Sequence, residues 1–189
     1  MATFINLKSE DKKTITLDKP GKYVAFMHNV SGEFTFDIKS KNVDLDIFGL
    51  YVGHGDDIFK IHTIQNHDAP SSTSNLYIKG VFYDNSKFHY QGLIKIEKKG
   101  QKSHAYQKNK NLMLSPHAFV ESEPFLEILA NDVFCTHGST TGKLNEEEVY
   151  FLKTRGIDAK SAENLLVEGF INEITQIVKE YDPNIKLPA

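Results

Sequence analysis

The chain holds one cysteine, Cys135, and one arginine, Arg155, in 189 residues. A single thiol excludes an internal disulfide, and a reducing cytoplasm is the expected setting. Arg155 stands alone among 22 lysines and arginines. The bidentate fork that reads phosphates and base edges is therefore nearly missing, since lysine replaces it only as a point charge. A net charge of −3 gives no broad field for nucleic acid. The locally basic stretch 95–110, with six lysines and one acid, reads as a solvated sheet edge kept from pairing by its lysines. No apolar run is long enough to span a bilayer, and the N-terminus lacks the basic-then-apolar layout of a secretory leader. Nucleophile-elbow, Walker and dinucleotide-binding patterns are also missing, and Gly53-His54-Gly55 reads as a loop, not a phosphate cradle. Any ATP chemistry thus belongs to a partner, and neither nucleic acid nor membrane is expected as one.

What is present is β structure. Phe34, Phe36 and Ile38 alternate with Glu33, Thr35 and Asp37, and Val43, Leu45 and Ile47 alternate with Asp44 and Asp46. Further strands are expected at Thr14–Leu17, Lys22–Met27, Ile58–Gln65, Ser74–Tyr83, Phe88–Glu97, Ser103–Lys108, Asn111–Leu114 and Phe125–Ala130. Turn signals such as Ser31-Gly32, Asp84-Asn85 and Lys99-Gly100 separate them. The rhythm fits a sandwich, a barrel or a β-helix. Comparable strand pairs recur on the order of every 20 residues, the length of one β-helical coil. Gln107, Asn109 and Asn111 alternate on one face, where stacked coils could pair their amides in a ladder.

Near residue 145 the hydrophobic period changes from two to 3.6. Asn145 is an N-cap with acids in the first turn, Val149, Phe151 and Leu152 form a stripe, and Gly156 is the stop. A second helix is predicted from Ala159 to Tyr181, ended by Pro183. Gly169 lies inside it, which predicts close approach of another backbone there. The expected division is a β core over residues 1–143 and a helical segment over 144–189.

The stretch from Leu126 to Leu144 carries the chemistry. Cys135 and His137 sit two apart in an extended segment, so thiol and imidazole share one face. Asn131, Asp132, Val133, Cys135, His137, Gly138, Thr140 and Gly142 resemble the D-D-V-x-C-x-H-G-x-T-x-G pattern of the SufB/SufD iron–sulfur assembly scaffolds, the SufD branch in particular. Asn131 departs from it, standing where an acid is usual. The resemblance extends from about 60 to about 175 through His62, Thr63, Gln65, His67 and Pro70, then Lys79-Gly80-Val81, Gly92-Leu93-Ile94, Pro124-x-Leu126-Glu127-Ile128, Arg155-Gly156-Ile157 and Glu168-Gly169-Phe170.

The resemblance implies a right-handed parallel β-helix with a two-helix C-terminal segment. It implies a non-enzymatic scaffold on which a transient iron–sulfur cluster is built, with Cys135 and His137 as cluster-assembly residues and iron ligands. It also implies a SufC-type ATPase docked through Phe151, Leu152, Arg155, Gly156, Ile157 and Phe170, and pairing with a SufB-type subunit or with itself. Typical members are longer, with an N-terminal helical region and extra coils. The sulfur-accepting cysteines of SufB have no counterpart in a chain with one cysteine. Two rival readings are a cupin-like metal-binding protein using His62 and His67, and a purely structural β-helix. The five-residue spacing of His62 and His67 puts them on opposite faces of a strand, which disfavours the first.

Overall fold

The computed structural model describes residues 2–8 and 10–187. Eleven strands precede two helices. They are β1 (Thr3–Leu7), β2 (Glu10–Leu17), β3 (Gly21–His28), β4 (Gly32–Ile38), β5 (Val43–Gly53), β6 (Ile58–His67), β7 (Thr73–Phe82), β8 (Lys87–Ile96), β9 (His104–Met113), β10 (Phe119–Ile128), β11 (Phe134–Gly142), α1 (Glu146–Thr154) and α2 (Ala159–Tyr181). Odd-numbered strands form one six-stranded sheet and even-numbered strands a five-stranded sheet, so the chain crosses between sheets at every step. All pairing is parallel. The result is a parallel β-helix. Parallel pairing throughout rules out the sandwich and the barrel, and with them the cupin reading, whose jelly-roll strands run antiparallel.

The repeat is longer than the expected 20 residues for most of the chain. Paired residues lie 20–22 apart in the first coils (Thr3 with Tyr23, Lys13 with Phe34, Tyr23 with Leu45). They lie 29–32 apart in the later ones (Leu45 with Ser74, Ser74 with Ala105, Ala105 with Cys135, Lys87 with Phe119). Strands of ten residues replace the shorter ones, so Ser103–Lys108 and Asn111–Leu114 belong to one strand, β9, and Phe125–Ala130 is the second half of β10. β1 lies outside the predicted set.

Inward-facing side chains of the first coils are apolar: Leu17, Phe34, Phe36, Ile38, Leu45, Ile47, Leu76 and Ile78 stack into one buried column. Each fully buried side chain of this kind contributes about 1.5–3 kcal/mol. Toward the C-terminal end the filling turns polar. Thr63, Gln65, His67, Ser74, Gln107, Asn109 and Asn111 are all buried. Gly92 makes the room, because a Cβ there would sit 2.1 Å from Gln107 Nε2 and 2.3 Å from Tyr90 Oη. The expected amide ladder between coils is replaced by pairing along one strand: Asn111 Nδ2 donates to Asn109 Oδ1 at 2.5 Å. The register explains this, since the inward neighbours of Asn109 and Asn111 are Ile78, Gly80, Ser139 and Thr141, none of them an amide.

Two expectations about the helices need correction. The β-then-helix order predicts both helices packed beyond the last coil; α2 instead lies on the outer face of the six-stranded sheet, where Ile171, Ile174 and Val178 cover Phe26, Leu50 and Val81. The cause lies in the strands, for β3 and β5 carry apolar side chains outward as well as inward and need cover on both faces. Gly169 meets nothing within 4 Å of an added Cβ, so no neighbouring backbone requires it.

Both helices are capped, the first by the residue its sequence predicts. Asn145 Oδ1 accepts from Glu147 N at 2.9 Å, and Asp158 accepts from Ser161 N at 3.0 Å. Gly156 at φ 87° takes the left-handed turn between them, and Ile157 N reaches back to the Leu152 carbonyl at 3.3 Å. No helix among the described residues is long and apolar enough to cross a membrane.

Candidate functional site

The last coil is made of β10 and β11, and each is the edge of its sheet. Their parallel partners lie only on the N-terminal side, so each leaves one row of backbone donors and acceptors unpaired by another strand. Cys135 stands over Ala105 and His137 over Gln107 in the register. Ala105 and Gln107 are buried inward-facing residues, so Cys135 and His137 share the inward face of the last coil, as their spacing predicts. Below them are buried polar groups of the preceding coils. Gln65 Nε2 and His67 Nε2 each lie 2.7 Å from Ser74 Oγ, which sits two coils beneath Cys135.

The two candidate ligands differ in setting. Cys135 is half-buried against Ile94, Ile96, Ala105 and Ala130, and burial pushes its thiol above the ordinary value despite a weaker opposing backbone hydrogen bond at Ala105. A metal needs the thiolate, so this site favours the thiol until a cation or a positive neighbour arrives. His137 is exposed. No group of three or more His, Cys, Asp or Glu among the described residues could hold a metal ion. Two donors on one edge make half a site.

The other histidine pair weighed above is split by the strand. His67 is buried, and burial lowers its pKa to about 4, so it serves as a neutral core residue. His62 faces outward and lies 3.2 Å from Glu33 Oε2.

Exposed apolar side chains gather around the last coil. Phe119, Phe125, Leu126, Leu129 and Phe134 are 43–60% exposed, all between β10 and the start of β11. Phe119, Phe125 and Phe134 pair in register with the outward-facing Lys87, Leu93 and His104, so they stand on the outer faces of the two edge strands. A second group lies on the helices, where Tyr150 is 68%, Phe151 56% and Leu165 48% exposed and α1 has no buried residue. The Arg155 guanidinium sits 5.1 Å from the Phe151 ring centroid. Leu152 and Ile157 are half-buried, and Phe151 and Leu152 line one shallow depression with Leu166. Phe170 faces the other way, packing against the Phe26, Leu50 and Val81 cluster with the Lys79 ammonium 4.2 Å over its ring. Pattern reading singled out neither the apolar rim of the last coil nor Tyr150 and Leu165.

The chain is thus a parallel β-helix whose last coil is unpaired and carries an inward Cys-x-His, followed by a capped helix pair. Residues 23–170 match the family model for the SUF system FeS cluster assembly SufBD core domain, and the chain belongs to that family. It is 28% identical over 153 residues to the iron–sulfur cluster assembly protein SufD of Escherichia coli, covering 81% of this chain and 35% of that protein. Against the Bacillus subtilis SufD it is 32% identical over 122 residues, covering 65% of this chain and 28% of the relative. Against the chloroplastic protein ABCI7 of Arabidopsis thaliana it is 32% identical over 87 residues, covering 46% and 18%. The chain thus spans about a third or less of the length of these relatives.

Proposed function

We propose that the chain is a SufD-like, non-catalytic scaffold subunit of a cytoplasmic complex that builds iron–sulfur clusters. The observation that carries this reading is the unpaired last coil, where Cys135 and His137 share the inward face and Phe119, Phe125 and Phe134 stand exposed on the outer faces of the same edge strands. An edge of that kind is stable when another strand pairs with it. A SufB-type subunit, or a second copy of this chain, seated there would supply the missing ligands, and the cluster is the cargo assembled between them. Thiolate and imidazole are both donors that iron–sulfur centres accept. Residues 144–189 form the docking segment for a SufC-type ATPase, through Phe151, Leu152, Arg155, Gly156 and Ile157. Phe170 acts indirectly there, by fixing α2 on the sheet. A purely structural β-helix has no use for an exposed Arg–aromatic pair on a helix without buried residues.

The test is co-expression of the tagged chain with an ABC-type ATPase and a SufB-type subunit. Both partners are expected in stoichiometric amounts after purification. The double substitution Phe125→Asp, Leu126→Asp is expected to lose the SufB-type subunit while retaining the ATPase, because it places one charge on each face of the edge strand β10 and leaves the helices unchanged. Recovery of the unaltered chain alone, or loss of both partners together from the variant, would overturn the assignment of two separate surfaces.

A further inference from the structure

Helix α2 is held unevenly along its 23 residues. Its C-terminal half carries Ile171, Ile174, Thr175 and Val178, all buried, whereas Val167 and Phe170, between Ala162 and Ile171, reach the sheet cluster and are only partly buried. At the junction lies Gly169, the poorest helix former after proline, and no packing contact accounts for it, since an added Cβ would meet nothing within 4 Å.

The next residue is where the sheet grips the helix. Lys79 projects outward from β7 yet its side chain is only 1% exposed, because α2 covers it. Its Nζ donates to the Phe170 carbonyl and pairs with Glu173 Oε2 at 2.7 Å. The hydroxyl of Tyr77 donates to the same carboxylate oxygen at 2.8 Å. A side-chain donor aimed at a helix carbonyl competes with the intrahelical bond to that carbonyl, and such an insertion is one of the few established causes of helix bending. Here it falls one residue after a glycine.

We infer that α2 is hinged at Gly169–Phe170: Lys79 clamps the half that follows to the sheet, and the half that precedes swings with α1 as one arm. Gly156 joins α1 to that arm through a short capped turn, so the two move together. The arm carries the exposed Tyr150, Phe151 and Leu165. The hinge stands independently of what docks on that face, because it rests on contacts within this chain.

Amide hydrogen exchange of the full chain tests it. Residues 160–168 are expected to exchange at least roughly tenfold faster than 171–178, as local opening of a lightly packed segment requires. Gly169→Ala has room for its methyl group and is expected to slow exchange in 160–168 by about fivefold, with 171–178 unchanged. Glu173→Gln, which weakens the clamp without a change of size, is expected to speed exchange in 171–178. Equal protection along the whole helix, or a Gly169→Ala effect that falls on both halves alike, would overturn the hinge. Unchanged exchange of 171–178 in Glu173→Gln would overturn the clamp.

Discussion

Replacing His137 by Ala in the reconstituted complex is expected to remove nearly all cluster absorbance while leaving the melting temperature unchanged. His137 is exposed on an edge strand. Surface substitutions of this kind shift stability by no more than about 0.5 kcal/mol. The chemical effect is far larger, since the proposed site has one imidazole and one thiolate from this chain and loses half of that contribution. Cys135→Ala is the companion variant. Cys135 packs against Ile94, Ile96 and Ala105, so it should lose cluster and also about 1 kcal/mol of stability. The contrast between the two separates ligation from packing. Full cluster loading in His137→Ala, measured beside an unchanged melting curve, would end its assignment as a ligand.

The second large effect is expected on the helices. Arg155→Ala and Phe151→Ala should each weaken ATPase binding by about 10- to 100-fold, the range of a truncated interface anchor. Neither change should affect folding, because α1 contributes no buried residue and both side chains are exposed. The two side chains act together: the guanidinium lies over the Phe151 ring, and removal of the ring frees the arginine from its fixed direction. Arg155→Lys keeps the charge but not the planar stack, so it should fall between wild type and Ala. Titration calorimetry with the purified ATPase decides it. An unchanged dissociation constant in both Ala variants would remove the docking face from this helix.

Much of this architecture can be read from residue order. The bounds of α2 follow from the apolar spacing and Pro183, and the shared face of Cys135 and His137 follows from strand geometry alone. Other features depend on which elements end up adjacent. The stripe on α2 predicts that the helix packs, but the outward apolar residues Phe26, Leu50 and Val81 select the surface. Lys79 inside the run Leu-Tyr-Ile-Lys-Gly-Val-Phe is visible as an odd residue in a buried strand, yet its partners are about 90 positions away on α2. Coil length is blurred because turns of different size separate strands of different length, which hides the register from simple spacing. The exposure of Phe119, Phe125 and Phe134 is hidden from pattern, because the register, not the alternation alone, pairs them with the outward-facing Lys87, Leu93 and His104.

The central claim is that this chain holds half of a cluster site and that a second subunit on the last coil completes it. Iron and sulfide content after anaerobic reconstitution, measured for the isolated chain and for the same chain paired with a SufB-type subunit, tests that claim most directly. The expected result is no retained cluster on the isolated chain and stoichiometric cluster on the pair, lost again when the pairing is broken by Phe125→Asp, Leu126→Asp. A full cluster retained by the isolated monomer would contradict it.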